Sequence, residues 1–407
     1  MAAPAPAPPL RSWVDLPEDA LSEVLSRVQC VADRARAALA CRPWREGLAR
    51  ARDPPRQLPW LLLPSADGSF RASCVLSGGA VHRHRLRVDA PGARCFGSHD
   101  GAWLFRVFLQ GGNHQLVNVR TGEARALPSA FRPFDEPLDQ RAQEDMLILV
   151  ATLSAPPGDA RCIAAGIVAH SPPRAVVVHN ILTVPKDRVV LWRLGAQFAL
   201  DFWPGPILNE LDEVDVIYHQ GAFHALTQGE HIVVYTPLPH PNGDLEVEPS
   251  SRGFLPDGRS YHQVVLARYL VVSRDELLMV VRFKLTPRAV TTSGFRVFRA
   301  VQRQMPTPAA SAYRWRWSEL DALQGRVLFM GRGCSRAYEA NQYPGIEEGV
   351  YFLDDSSFYD DFGRIAAANN RTYACNDNGK WSERGVESCF PGQEEASTYS
   401  PPTWLLL

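Results

Sequence analysis

The chain has 407 residues, of which 45% are apolar and 21% charged, with 43 basic side chains against 44 acidic ones and a net charge of −1. That balance excludes a disordered chain and gives no field that would gather nucleic acid or an anionic membrane, so partners must be selected by shape. The length allows two or three average domains, or one large all-β domain behind a small one.

Residues 1–10 are rich in Ala and Pro and carry neither a signal-like apolar core nor an Arg-rich amphipathic pattern, so they read as a disordered lead-in. From 11 to 51 the rhythm is helical. Asp15 followed by Glu18 makes a capping-box-like start, with Pro17 in the first turn, where a missing N–H costs nothing. Leu21, Val24, Leu25 and Val28 fall at i, i+3, i+4 and i+7, on one helical stripe. A second helix is expected with Asp33 as its cap and Ala35, Ala38 and Leu39 facing inward, ending near Ala40 because Pro43 cannot continue it. A third restarts at Pro43, with Trp44 and Leu48 as its apolar residues. Three short helices in about 40 residues bury too little surface to be stable alone, which predicts a partner.

Leu16-Pro17, the apolar stripe and Cys41-Arg42-Pro43-Trp44-Arg45 together resemble an F-box, the motif that docks proteins on the Skp-family adaptor of cullin-RING ubiquitin ligases. The resemblance implies that adaptor, and through it a cullin, as partners. It also implies Leu16, Pro17, Leu21, Val24, Leu25, Val28 and Trp44 as docking residues. Ala35 and Ala38 depart from the common pattern, which favours bulkier apolar residues there. The bland alternative is a helical cap that packs on the following domain and binds nothing.

Residues 52–59 form a proline-rich linker, stiff rather than floppy, and mark the expected domain boundary. Beyond it the period drops to about two. Segments 102–109, 146–151, 175–179, 188–192, 214–218, 232–235, 264–272, 277–283 and 326–330 are rich in Val, Ile, Leu and aromatics and read as strands. A strand, a tight turn and a second strand recur at 95–104, 216–226 and 269–280, the last two spaced like four-stranded propeller blades. The fold expected is therefore mainly β: a six- or seven-bladed β-propeller over 60–390 behind a short all-α module, with 391–407 as a tail. A pair of β-sandwiches would leave the repeat unexplained.

The final third carries Gly294-Phe295-Arg296-Val297-Phe298, Trp315-Arg316-Trp317-Ser318-Glu319-Leu320, Gly331-Arg332-Gly333-Cys334-Ser335-Arg336-Ala337 and Tyr343-Pro344-Gly345, leading to Val350-Tyr351-Phe352-Leu353-Asp354-Asp355. These resemble a plant domain described as a KIB-type β-propeller, commonly found behind an F-box, and the resemblance runs over 58–381. It departs at Arg274-Asp275, where a glycine turn is common, and at Gly333.

Several motifs invite a chemical reading, and each has a plainer one. Ser98-His99-Asp100 holds the letters of a hydrolase triad, but neighbours in a strand or turn point apart, so a turn is expected. Gly331 and Gly333 read as tight-turn residues, since no Gly-Lys-Ser/Thr ending follows, and Cys334 as a small buried one. Arg83, Arg85 and Arg87 share a face of an outer strand; Asp354, Asp355, Asp360 and Asp361 read as a solvated turn whose spacing fits no EF-hand. Tyr313, Trp315 and Trp317 form a stripe that suits either a ligand platform or a core between blades. The eight cysteines lack a C-x-x-C pair, so spacing indicates neither zinc nor a disulfide framework, and a reducing compartment fits. No catalytic residue, metal or cofactor is expected.

With no apolar run of 18 residues, no conventional membrane span is expected, and the location implied is nuclear or cytoplasmic. The function expected is that of a non-catalytic substrate receptor of a ubiquitin ligase, with the helices docking the adaptor and the propeller holding a target protein. A scaffold acting outside any ligase, or a propeller enzyme, are the alternatives.

Overall fold

The computed structural model describes Trp13 and residues 16–50, 56–65, 67, 69–82, 92–108, 112–133, 143–170, 176–178, 181–183, 187–202, 212–239, 244–256, 261–304, 313–355, 373, 375–392 and 397–407. Helix α1 spans Glu18–Arg27, with Pro17 at its N-cap and Glu18 and Asp19 in the first turn, where the helix dipole favours acids. Asp15, the expected cap, lies outside the described residues. Leu21 and Leu25 turn inward. They meet Gly47 of helix α3, Arg42–Arg50, so closely that a Cβ there would lie 2.8 Å from a Leu25 methyl.

Helix α2 spans Val31–Ala40, ending where Pro43 requires. Its inward face differs from the expectation: Ala32 and Ala37 are buried, whereas Ala35 is exposed and Leu39 is 81% exposed. The helix begins two residues before Asp33, which therefore sits in the first turn rather than capping it. Arg34 instead joins the first two helices, donating to the carbonyls of Leu25 and Val28 at 3.2 and 3.3 Å.

Among the described residues the β-strands form a ring of five blades and one sheet that closes on itself. Blade 1 holds Trp60–Pro64, Phe70–Cys74 and Val81–His82, with Thr403–Leu405 paired to its first strand. Blade 2 runs over Ala93–His99, Trp103–Phe108, Asn113–Asn118 and Ala124–Ala126. The closed sheet follows, built from Ala130–Arg132, Glu144–Leu153, Ile163–His170, Arg188–Arg193 and Ala199–Asp201. Blade 3 holds Glu213–His219, Ala222–Thr227, Ile232–Leu238 and Glu246–Arg252; blade 4 holds Val264–Ser273, Glu276–Lys284, Gly294–Gln302 and Trp315–Glu319. Blade 5 has Arg326–Phe329 beside both Arg336–Glu339 and Gly349–Phe352, then Gly379–Ser382 and Gly385–Glu387. A plain six- or seven-bladed ring was the expectation. The described sheets depart from it in the closed sheet and in the parallel pairing within blade 5. Val176–Val178 and Ile181–Thr183 form a separate hairpin.

The near-continuous apolar runs have a direct cause. Each blade is covered on both faces, so alternate residues of one strand serve two different cores. Met279, Val281 and Phe283 join Val214, Leu226 and Ile232 between blades 3 and 4, while their neighbours Leu278 and Val280 join Leu328, Val350 and Phe352 between blades 4 and 5. In the same way Leu61 and Leu63 face blade 5, and Trp60 and Leu62 face blade 2. The aromatic stripe resolves as such a core: Trp317 stacks on Phe254 with ring centres 4.2 Å apart and donates its indole N–H to the Glu230 carbonyl at 2.8 Å.

The recurring hairpins are the opening hairpins of blades 2, 3 and 4, and their turns take left-handed backbone. Gly101-Ala102 and Gln220-Gly221 each place one glycine there, whereas Arg274 (φ 53°) and Asp275 (φ 62°) do it without any. Arg274 is held by Glu339 of blade 5, at 2.6 and 2.9 Å, and by the Gln324 carbonyl at 2.7 Å, so an ion pair offsets the strain that glycine would avoid.

Residues 391–407, expected as a tail, include the strand that closes the ring. Thr403–Leu405 pairs with Trp60–Leu62, and Trp404 and Leu406 enter the core shared by blades 5 and 1. Residues 51–55 of the expected linker lie outside the described residues, but its second half is anchored. Gln57 donates to the Gln29 carbonyl and accepts from the Val31 N–H, both at 2.9 Å, Leu58 is fully buried, and Tyr343 donates to the Arg56 carbonyl at 2.7 Å. The helices therefore pack on blade 1, through Cys30 and Ala32 among others, rather than standing off it.

Blade 2 is tied to the closed sheet by His114, whose Nε2 accepts the Ile148 N–H at 3.0 Å. Burial, and secondarily the Arg94 guanidinium, push its pKa from 6.5 down to about 4. A depressed imidazole contributes stability fully above pH 6.5 and loses it as pH falls toward 4, where the unfolded chain binds the proton first. His114→Gln keeps an acceptor for Ile148 and cannot titrate. Urea unfolding of both chains should show their stability difference moving in the variant's favour by about 3 kcal/mol across that window. Parallel pH profiles would contradict this account of His114.

Candidate functional site

The helical module has a very small core of its own: Leu21, Leu25 and Ala37, with Leu16, Trp44 and Leu48 packed against it. Of the residues implied in docking, Leu21 and Leu25 are therefore interior, at 4% and 0% exposure. Leu16, Val24, Val28 and Trp44 are half-buried and Pro17 is exposed. The module also presents side chains that the periodicity assigned elsewhere or left unused: Leu39 at 81%, Trp13 at 70% and Val31 at 39% exposure. These are the large apolar side chains of the unit most open to water. On α1, Glu23 and Arg27 pair at 2.7 Å with both side chains well exposed, a contact worth little by itself.

Where blades 4 and 5 meet blade 3, the charges are buried and matched. Arg282, nearly inaccessible, donates to Asp355 at 2.8 Å, Asp377 at 2.7 Å, the Leu353 carbonyl at 2.7 Å and the Thr292 hydroxyl at 2.7 Å. Arg332 adds a second guanidinium on Asp355 at 3.1 Å. Asp354 accepts the N–H groups of Asn376 and Asp377. The acidic turn is thus a buried ion-pair network rather than a solvated loop; Asp360 and Asp361 lie outside the described residues, as do Arg83, Arg85 and Arg87. Asp215 spans three blades, accepting N–H bonds from Val216, Leu270 and Gly333 at 2.7 to 2.8 Å, and burial lifts its pKa to about 7.

The other tempting motifs take their plain readings. Ser98 and His99 end a strand, and the Asp100 carboxylate turns to Arg56 at 2.8 Å and Arg336 at 3.1 Å. Burial, then the Arg336 charge, pushes His99 down to about 4, so it is a neutral interior imidazole. Gly333 (φ 72°) sits in a tight turn against the Ala151 carbonyl, and Cys334 is buried, its thiol raised to about 11 by desolvation. The cavity among Cys95, Phe96, Leu149, Arg332, Cys334 and Thr403 encloses about 50 Å³, space for a few waters.

A larger groove, about 520 Å³, opens between the outer parts of blades 4 and 5. Phe295, Leu323 and Trp381 give it an apolar floor, and among the described residues lining it Glu319, Asp321, Glu347, Glu348 and Glu383 face Arg296 and Arg384. Arg296 is engaged by Glu319, and Arg384 and Lys380 lie 3.7 and 4.0 Å from Glu347, leaving the described lining with negative charge to spare.

Ring closure, blade-to-blade cores and a helical module on the first blade define a β-propeller protein with an N-terminal helical unit. The chain belongs to the KIB1-4 beta-propeller family, which matches residues 72–380. The Arabidopsis thaliana "Putative F-box protein At5g14160" is 29% identical over 96 residues, covering 24% of this chain and 27% of that protein. Among solved structures, the Cps50 (Swd1) beta-propeller domain of Myceliophteria thermophila is 12% identical with a TM-score of 0.32, over 72% of this chain and 85% of that one. BBS1N, crystallised in complex with ARL6DN, is 10% identical with a TM-score of 0.31, over 71% of this chain and 76% of that one. Among the described residues no helix is long and apolar enough to cross a membrane.

Proposed function

We propose that this chain is the substrate-recognition subunit of a Skp–cullin–F-box ubiquitin ligase. Residues 11–51 dock the adaptor, 52–59 join the two parts, and the propeller binds a target protein. The observation that carries the reading is a three-helix unit that exposes Leu39 and Trp13 at the head of a KIB1-4 family propeller. The docking surface comprises the accessible Leu16, Pro17, Val24, Val28 and Trp44 together with Leu39, while Leu21 and Leu25 hold that surface from inside. The subunit performs no chemistry. It raises the effective concentration of a target lysine near a charged ubiquitin carrier. The groove between blades 4 and 5 offers space for a short segment of target, and its surplus of carboxylates suits a basic one.

The test compares the full chain with its Leu39→Asp variant in cells with the proteasome blocked. Both should capture the same proteins, and only the parent should carry them in ubiquitinated form with a cullin. Asp321→Lys with Glu383→Lys should release those proteins while keeping the cullin. Capture of the same proteins without a cullin by the parent chain would favour a scaffold acting outside any ligase.

A further inference from the structure

Three metal-ligating side chains from separate parts of the chain converge where the helices meet the ring. Cys30 immediately precedes α2, Cys74 ends the Phe70–Cys74 strand of blade 1, and His82 ends its outermost strand. Their exposures are 1%, 0% and 2%, and one ligand atom from each lies within 4.8 Å of the other two. Cys30 Sγ is 3.3 Å from His82 Nε2. In a tetrahedral zinc site the bond lengths set ligand separations of about 3.6 Å for sulfur to nitrogen and about 3.8 Å for sulfur to sulfur. The observed spacing needs only small side-chain movements to match.

The surroundings are polar on one side of the cluster and apolar on the other. Ser77 Oγ lies 3.3 Å from His82 Nε2 and donates a short hydrogen bond to the Asp33 carboxylate, so an anionic oxygen stands one hydroxyl away from the imidazole. Apolar packing from Trp60, Leu62, Ala72 and Cys95 excludes water on the other side. Two thiols with one imidazole favour a borderline-soft cation over calcium or magnesium, which take oxygen ligands.

We propose that Cys30, Cys74 and His82, with the Ser77 hydroxyl beside the fourth position, form a Zn²⁺ site that clamps the helical module to blade 1. Scanning the sequence by spacing misses it because the ligands are distant in the chain and no C-x-x-C pair announces them. The clamp sets the direction in which α1, α2 and α3 face relative to the ring. It stands whether or not those helices bind an adaptor.

The test uses the reduced full chain with Co²⁺ alone as the probe. One Co²⁺ per chain should bind with tetrahedral d–d bands and thiolate charge-transfer absorption, both erased by Zn²⁺. Cys30→Ser and Cys74→Ser should each weaken Co²⁺ binding by at least about 100-fold, since even the loss of a group behind a ligand reaches that figure. Cys41→Ser, a half-buried cysteine outside the cluster, should leave it unchanged. Should the variants fail to fold, the parent spectrum still decides. A six-coordinate spectrum without thiolate bands, no saturable uptake, or a Cys30–Cys74 disulfide that forms in place of metal binding overturns the proposal.

Discussion

A chain ending at Ser400 should fail to close its ring and should lose cooperative folding. The seven residues removed carry Trp404 and Leu405 at 0% exposure and Leu406 at 1%, and these serve two cores at once. Trp404 also donates its indole N–H to the Met330 carbonyl at 2.7 Å, and the Leu406 carbonyl accepts the Ala102 N–H at 2.7 Å, so the strand binds blade 5 on one side and blade 2 on the other. Truncating one buried Trp costs about 3–5 kcal/mol and each buried Leu about 2–5, a sum comparable with the entire 5–15 kcal/mol stability of a typical domain. Near-UV circular dichroism and thermal unfolding would show the loss. Trp404→Ala gives the graded version, about 3–5 kcal/mol less stable by urea unfolding. A truncated chain that melts cooperatively within a few degrees of the parent would mean that the ring closes without this strand.

The closing strand shows where sequence patterning stopped. Thr403-Trp404-Leu405-Leu406 is a short apolar run without a turn partner beside it, and its partner Trp60–Pro64 lies at the far end of the β domain. Periodicity reports local alternation and cannot pair the two ends of a chain. It succeeded where blades open with a hairpin, because tight turns at 101–102, 220–221 and 274–275 sit between strands that are neighbours in sequence. The parallel pairs, one in blade 5 and one closing the closed sheet, gave no comparable signal, since their partners are not joined by short turns.

In the helical module the stripe at Leu21 and Leu25 was legible, but a stripe marks what is buried, not by what. Those two residues face Gly47 and Ala37 of the same module. Leu39 does not face inward as the sequence suggests, because the inner positions of α2 are taken by Ala37, against Leu21 and Leu25, and by Ala32, against blade 1. The matched charges of Asp355 and Asp377 were hidden for a related reason: Arg282 is far from both in sequence.

Substituting Leu39 tests docking without disturbing the module, which Leu25→Asp cannot do, because a carboxylate in place of a fully buried leucine would unfold the three helices first. At 81% exposure Leu39 makes little contribution to the free chain's stability, so Leu39→Asp should melt as the parent does. Bound, the same position would lie against the adaptor, and an unpaired charge desolvated there costs several kcal/mol; about 4 kcal/mol corresponds to about a thousandfold in affinity. Glu23→Lys, at an exposed position whose ion pair is worth less than about 1 kcal/mol, should change little.

The most direct measurement is calorimetric titration of the purified full chain with a purified Skp-family adaptor, run on the parent, Leu39→Asp and Glu23→Lys. A one-to-one complex is expected for the parent and for Glu23→Lys, with a loss of about a thousandfold for Leu39→Asp at unchanged melting temperature. Equal binding by Leu39→Asp would move the docking surface to another face of the module, and a parent chain that does not hold the adaptor at micromolar concentration would contradict the receptor reading itself.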